Sequence, residues 1–211
     1  MKIIFWSFVD DVINKYVILN KSLQRLSKYY DFYALCSGKK STGYINDLYN
    51  ANIIESENNL CLKSKLLFDH LKNINFDVLI KIDMDSVLMD EKFLIKNIKH
   101  NIIPMSIMGN LRKSKTYGII YVRGGCNATH SSVIKKIDMI VPPNKKEYQI
   151  FDKYYSDACN NINTKYIDFP LFEISKSYSN KLPVWHPIKN GNRLNLFKKA
   201  LDVYKKNHEN P

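Results

Sequence analysis

Asp83 and Asp85, separated by Met84, are the residues of this chain best placed to do chemistry. They close FDVLIKID (76–83), the strongest apolar β-type run in the sequence, so they emerge at the carboxyl end of a buried strand. Residues i and i+2 of an extended segment point the same way, which lets both acids face one pocket while Met84 faces the core. Two adjacent carboxylates repel unless a cation neutralises them. A divalent ion shared with water and a diphosphate meets that need, and open α/β sheets bind ligands beyond the carboxyl ends of their strands. Glu55 and Glu57 repeat the spacing without that setting, and a solvated turn also carries paired acids.

These acids need a frame. KIIFWSF (2–8) reads as a buried strand, followed by a helical pattern through Val12, Tyr16, Leu19, Leu23 and Leu26. DFYALCSG (31–38) reads as a second strand, 43–50 as a short helix, the surroundings of Ile53 as a brief strand, and NNLCLKSKLLFDHLKN (58–73) as a helix. Alternating strands and helices imply βαβ units, hence a mostly parallel, Rossmann-like sheet flanked by helices. Further on, 102–109 and 117–124 read as strands joined by a basic turn at 110–115. Helices near 130–138 and 146–160 and strands near 164–168 and 182–186 follow. LNLFKKALDVYKKN (194–207) sets Leu194, Phe197, Leu201 and Tyr204 on one stripe with lysines elsewhere, so 191–211 is expected to hold a basic amphipathic helix. With 211 residues, no repeat and no linker, one α/β domain is expected. No apolar run approaches the roughly 20 residues that span a bilayer, and MKIIFWSFVDD lacks the pattern of a secretory leader. Cys36, Cys61, Cys126 and Cys159 form no CxxC pair and read as reduced, buried thiols. A soluble cytoplasmic protein is expected.

Asn58-Asn59-Leu60-Cys61-Leu62-Lys63-Ser64, followed by a helix and then Leu79 to Val87, resembles the inverting fringe and β-1,3-galactosyltransferase family, with its N-L-T-L-K-T helix start before a metal-binding D-x-D strand. Tyr121 to Ala128 resembles that family's glycine-containing acceptor-side segment, Tyr155-Ser156-Asp157-Ala158 its E-D-V motif, and Val184-Trp185-His186-Pro187 its late histidine. Ser156 stands where the first acid of the usual pair belongs. The resemblance covers about 53–190 and implies a GT-A fold, a nucleotide-sugar donor (a UDP-sugar), Mn²⁺ or Mg²⁺, and inversion. It divides the chain into a nucleotide-sugar half (1–100) and an acceptor half (101–190).

The chemistry of sugar transfer makes Asp85 the expected direct metal ligand, with Asp83 on ribose or on the metal's water. By the resemblance and its extended Trp-His-Pro setting, His186 completes the sphere. Lys63 meets uridine or phosphate, though a solvated helix lysine reads equally well, and Lys189 meets the diphosphate. Asp157 is the expected general base, with Asp152 and Asp168 as substitutes and a helix-surface aspartate as the plain alternative. Gly124 and Gly125 present bare backbone to a ligand, or form a simple turn.

The net charge of +12 points to an anionic partner, and with only Arg25, Arg112, Arg123 and Arg193 among the basic residues it favours general phosphate attraction over base reading. Two acceptors fit. One is a cell-surface glycan or its lipid-linked precursor, reached with the basic C-terminal helix peripheral to an anionic membrane. The other is DNA with a hydroxylated base such as hydroxymethylcytosine, gripped by Arg112, Lys113, Lys115 and Arg123 in a viral host's cytoplasm, with Tyr117 and Tyr121 stacking. A non-catalytic binding module on a decayed scaffold is a third reading. A sugar-1-phosphate nucleotidyltransferase fits poorly, because residues 7–14 hold no Gly or Arg.

Overall fold

A computed structural model describes residues 1–8, 20–37, 46–50, 60–114, 118–139, 151–175, 181–187 and 193–208, with the backbone alone at 36–37, 46–50, 62–63, 187 and 193. The expected strand near Ile53 and the first part of the expected helix, 9–19, lie outside the described residues.

The apolar runs read from the sequence form the centre of a seven-stranded sheet. β1 (Ile3–Phe8) pairs in parallel with β2 (Asp31–Ser37) on one side and β4 (Val78–Ile82) on the other, and β3 (Asn46–Asn50) extends β2. All five residues of β4 are buried, as befits a strand covered on both faces. The second half adds β6 (Ser106–Lys113), β7 (Ile120–His130) and β8 (Lys165–Asp168), giving the order β3-β2-β1-β4-β7-β6-β8 with β7 antiparallel to both neighbours. A smaller sheet, β5-β10-β9, joins β5 (Val87–Leu88), β10 (Val184–Pro187) and β9 (Phe172–Ser175).

Helices α1 (Lys21–Leu26), α2 (Leu60–Leu71), α3 (Glu91–Asn101), α4 (Ser131–Lys136), α5 (Phe151–Asn160) and α6 (Arg193–His208) cover these sheets. One core gathers Leu23, Phe32, Ile80, Leu94 and Phe172, and the other Trp6, Phe68, Leu79, Val133 and Tyr155. Phe151 stacks on Tyr155 and meets Trp6 and Phe8 edge-on, which pins the start of α5 against the end of β1. The stripe read at the C-terminus is buried as expected. Phe197, Leu201 and Tyr204 of α6 pack on Val87 and Trp185 of the small sheet.

Three expectations are corrected. The segment 46–50 is an edge strand on β2 rather than a helix. The helical pattern through Leu23 is interrupted at Asn20, whose non-helical backbone makes it the N-cap of α1. The strand expected to end at Gly124 continues to His130, and against it β6 runs as far as Lys113, through most of the expected turn.

Candidate active site

β4 ends at Ile82, and the chain turns at once, with the Ser86 amide donating to the Asp83 carbonyl at 2.9 Å. The turn is held from two sides. On one side the Asp83 amide donates to the Gly125 carbonyl at 3.2 Å. On the other, the fully buried Asn20 donates its side-chain amide to the carbonyls of Met84 and Ser86 at 2.8 and 2.7 Å. Met84 is buried between the acids, but it and Asp85 stand in the turn rather than in the extended segment expected from the sequence, so the turn and not strand alternation sets their directions. Asp85 is 1% exposed and Asp83 is half-buried.

The third member comes from the small sheet. β5 and β10 pair antiparallel, Leu88 opposite Val184 and Val87 opposite Trp185, so the next step of the register brings His186 to the turn. There its Nδ1 shares a 2.8 Å hydrogen bond with Ser86 Oγ and lies 3.6 Å from Asp85 Oδ1. Phe172 meets the imidazole edge-on, with ring centroids 6.0 Å apart. One donor atom each from Asp83, Asp85 and His186 lies within 4.8 Å of the others. Two carboxylates and an imidazole suit Mn²⁺, and the oxygen-rich set suits Mg²⁺ when water and phosphate complete the sphere. The residues therefore fit such an ion.

Lys81 and Asp152 join this group from inside the molecule. Lys81 is buried, its ammonium donating to the Asp83 carboxylate and, at 2.6 Å, to the Gly124 carbonyl. Its Nζ lies 6.0 and 5.6 Å from the ring centroids of Trp6 and Phe8. Burial by itself drives its pKa down, but the carboxylates of Asp83 and Asp152 outweigh it and hold the ammonium above the ordinary lysine value. Asp152, at the start of α5, is placed by the aromatic packing of Phe151 and stands against Gly124. Sequence reading gave Lys81 no role. A lysine inside an otherwise apolar strand, two residues before an acid pair, was the available signal.

The two glycines are enclosed on both sides. A Cβ on Gly124 would stand 2.7 Å from Asp152 Oδ1, and one on Gly125 would stand 2.5 Å from the Phe172 ring. Around them β7 departs from its ladder, the register stepping from Gly109 opposite Asn127 to Leu111 opposite Val122. That bulge lets the Gly124 and Gly125 carbonyls reach Lys81 and Asp83. Asp157 lies five residues beyond Asp152, about 7.5 Å along the helix, close enough to Tyr166 for its charge to act on that phenol and outside the Asp83, Asp85 and His186 group. Asp168 accepts the Leu111 amide at 3.2 Å. Lys63 is on α2 with its side chain outside the described residues, as are Lys189, Lys115 and Tyr117 altogether. Arg112 and Lys113 are exposed near the end of β6, and Arg123 lies over the Phe172 ring. Two grooves of about 660 and 810 Å³ beside α3 are lined by none of the acid-histidine group. Cys61, Cys126 and Cys159 are buried free thiols, and desolvation pushes Cys61 up to about 12.

No protein-family profile matches the chain, and no curated protein matches it in sequence. Solved structures do match. A glycosyltransferase involved in the glycosylation of the major capsid of PBCV-1 superposes with a TM-score of 0.60 at 16% identity, over 96% of this chain and 100% of that one. The galactosyltransferase LgtC, solved with donor and acceptor sugar analogs, superposes with a TM-score of 0.57 at 12% identity, over 100% of this chain and 98% of that one. The chain has the mixed α/β fold of GT-A glycosyltransferases, with an Asp83/Asp85 pair of D-x-D type at the end of its central strand. Among the described residues no helix is long and apolar enough to cross a membrane.

Proposed function

We propose that the protein is a glycosyltransferase that moves a sugar from a UDP-sugar to a hydroxyl of an anionic glycan or its lipid-linked precursor, using Mn²⁺ or Mg²⁺. The observation that carries this reading is the convergence of Asp83, Asp85 and His186 beyond the carboxyl end of β4 in this fold. Asp85 and His186 would hold the ion, with Asp83 beside them, and when bound the ion supplies Lewis-acid stabilisation of the departing diphosphate.

The chain's own residues do the rest. Asn20 and Ser86 fix the orientation of the acids and the imidazole, so little reorganisation accompanies charge development. The acceptor hydroxyl must lose a proton to a carboxylate, and α5 offers two: Asp157, expected from the sequence, and Asp152 at its inner end. A single displacement with such a base inverts the anomeric carbon, in keeping with the fringe-type motifs, and ¹H NMR of the product reads this directly. Exposed lysines along α6, Lys198, Lys199, Lys205 and Lys206, supply attraction for an anionic acceptor or membrane surface. The exposed Arg112 and Lys113 also suit a duplex with hydroxylated bases, and a DNA mobility shift with steep salt dependence would favour that acceptor.

The test is a thermal-shift screen of nucleotide sugars with and without MnCl₂. Ligand at a hundredfold its Kd stabilises by about 2.7 kcal/mol, which for a chain of this size raises Tm by roughly 5–10 °C. Asp85→Asn and His186→Ala should abolish the Mn²⁺-dependent part. No shift with any donor, or a shift indifferent to both substitutions, overturns the reading.

A further inference from the structure

Lys81 occupies a position where the fold has no need of a cation. It lies in β4, whose other residues, Val78, Leu79, Ile80 and Ile82, are all apolar and buried. Its Nζ lies 6.0 and 5.6 Å from the ring centroids of Trp6 and Phe8, apolar surroundings that a Met or Leu would occupy without the cost of burying an ammonium. What the charge touches is the Asp83 carboxylate and the Gly124 carbonyl, with Asp152 close behind. The ammonium therefore serves the acids rather than the core.

Its effect follows from counting charge. Asp83 and Asp152 flank the Lys81 ammonium and Asp85 stands beside Asp83, so the cluster carries one negative charge fewer than its carboxylates alone would give. Asp83 Oδ1 is also committed to Lys81, which leaves that carboxylate less able to wrap a metal. A site weakened in both ways binds a bare divalent ion poorly. A diphosphate restores the missing oxygens and the missing negative charge.

Resting on the functional reading above, we propose that Lys81 is a positioning residue that makes metal binding conditional on the nucleotide. It holds Asp83 so that Mn²⁺ is retained chiefly together with the diphosphate.

The test is a titration of the intact protein with Mn²⁺, with the free ion read by EPR, in the absence and presence of UDP. Lys81→Met and Lys81→Gln, the latter keeping a donor for Gly124, are compared with wild type, and Tm is recorded for each. Both variants should bind Mn²⁺ alone roughly tenfold tighter, and the gain in Mn²⁺ affinity on adding UDP should shrink by about the same factor. A merely structural role would loosen binding or leave it unchanged, and cannot tighten it. In an Asp83→Asn background the contact is already gone and only the charge effect of Lys81 remains, so Lys81→Met should tighten Mn²⁺ binding by a smaller factor than it does in the wild-type background. Wild-type protein that binds UDP with Mn²⁺, beside Lys81 variants with unchanged Mn²⁺ affinity and unchanged UDP enhancement, overturns this inference alone. Wild-type protein that binds neither Mn²⁺ nor Mn²⁺ with UDP overturns the functional reading and this inference with it.

Discussion

Asn20→Asp tests whether the acid pair is held or merely present. Asn20 is fully buried and its side chain makes four hydrogen bonds. Its amide donates to Met84 O and Ser86 O at 2.8 and 2.7 Å, while its Oδ1 accepts from Leu23 N at 3.3 Å and Ser22 Oγ at 2.7 Å. Aspartate keeps the accepting oxygen, and so the cap of α1, but replaces both donations with an oxygen facing two carbonyls. Each buried acceptor left unsatisfied costs about 1–3 kcal/mol, so the pair costs about 4 kcal/mol, or roughly 8–16 °C in Tm for a chain of this size. Burial raises the pKa of the introduced carboxyl above its unfolded value of about 3.9. The neutral form, which can still donate once, therefore protects at low pH, and the deficit grows as pH rises through the folded pKa. Urea unfolding at pH 4.5 and pH 7.5 measures both effects, and the Mn²⁺-dependent thermal shift should weaken in parallel. A variant within 2 °C of wild type at pH 7.5 would show that Asn20 is not the tether described here.

Two further outcomes follow from the geometry. Gly125→Ala places a methyl 2.5 Å from the Phe172 ring, so it should cost about 1–3 kcal/mol by urea unfolding. Phe172→Leu in the same chain should recover part of it, and equal stability of Gly125→Ala and wild type would mean that the bulge is not fixed against β9. His130 caps α4 by accepting the Ser132 amide at 3.1 Å, and burial lowers its pKa below 6.5, with Lys135 adding to the effect and Asp77 opposing it. The unfolded chain then binds the proton more readily, so stability should fall as pH drops from about 6.5 through the folded value. His130→Asn keeps a capping acceptor and should flatten that slope, and an undiminished slope would assign it to another group.

The parts legible in the sequence are those fixed by local pattern. The run before Asp83 could only be a buried strand, and the stripe through Phe197, Leu201 and Tyr204 could only be an amphipathic helix. Asp83 and Asp85 come together as expected, but through the turn that follows β4 rather than through the strand period. His186 was expected from its resemblance and its extended Trp-His-Pro setting, and the fold brings it to within 4.8 Å of the two acids. The rest depends on tertiary partners. NDLYN (46–50) is a strand because β2 offers it an edge, a context its polar composition cannot announce. The two residues of β5 are too few to show a period, yet they set the register that delivers His186. Asn20 had a local signal, since Asn before Lys-Ser and an apolar repeat is a helix start, but the longer periodicity through Leu19 obscured it.

The candidate site sits at the seam of two sheets, and α6 supports it through Trp185. Val184 is buried in the core with Phe172, Trp185 is buried against α6, and His186 returns to the side of Phe172 and Asp85, as the period of a strand dictates. Trp185 is fixed at both ends, its indole N–H donating to Ser175 O at 3.2 Å while its ring packs with Phe197, Ala200 and Leu201. A strand of four residues has little stiffness of its own, so the imidazole's place is set by its neighbour's packing. Asp83 and Asp85 are instead tied to the large sheet through Gly125 and Lys81, and their turn to the start of α1 through Asn20. A cation bridging the three would therefore tie the small sheet and its helix to the large one, and the basic face of α6 would be held in a constant relation to the donor acids.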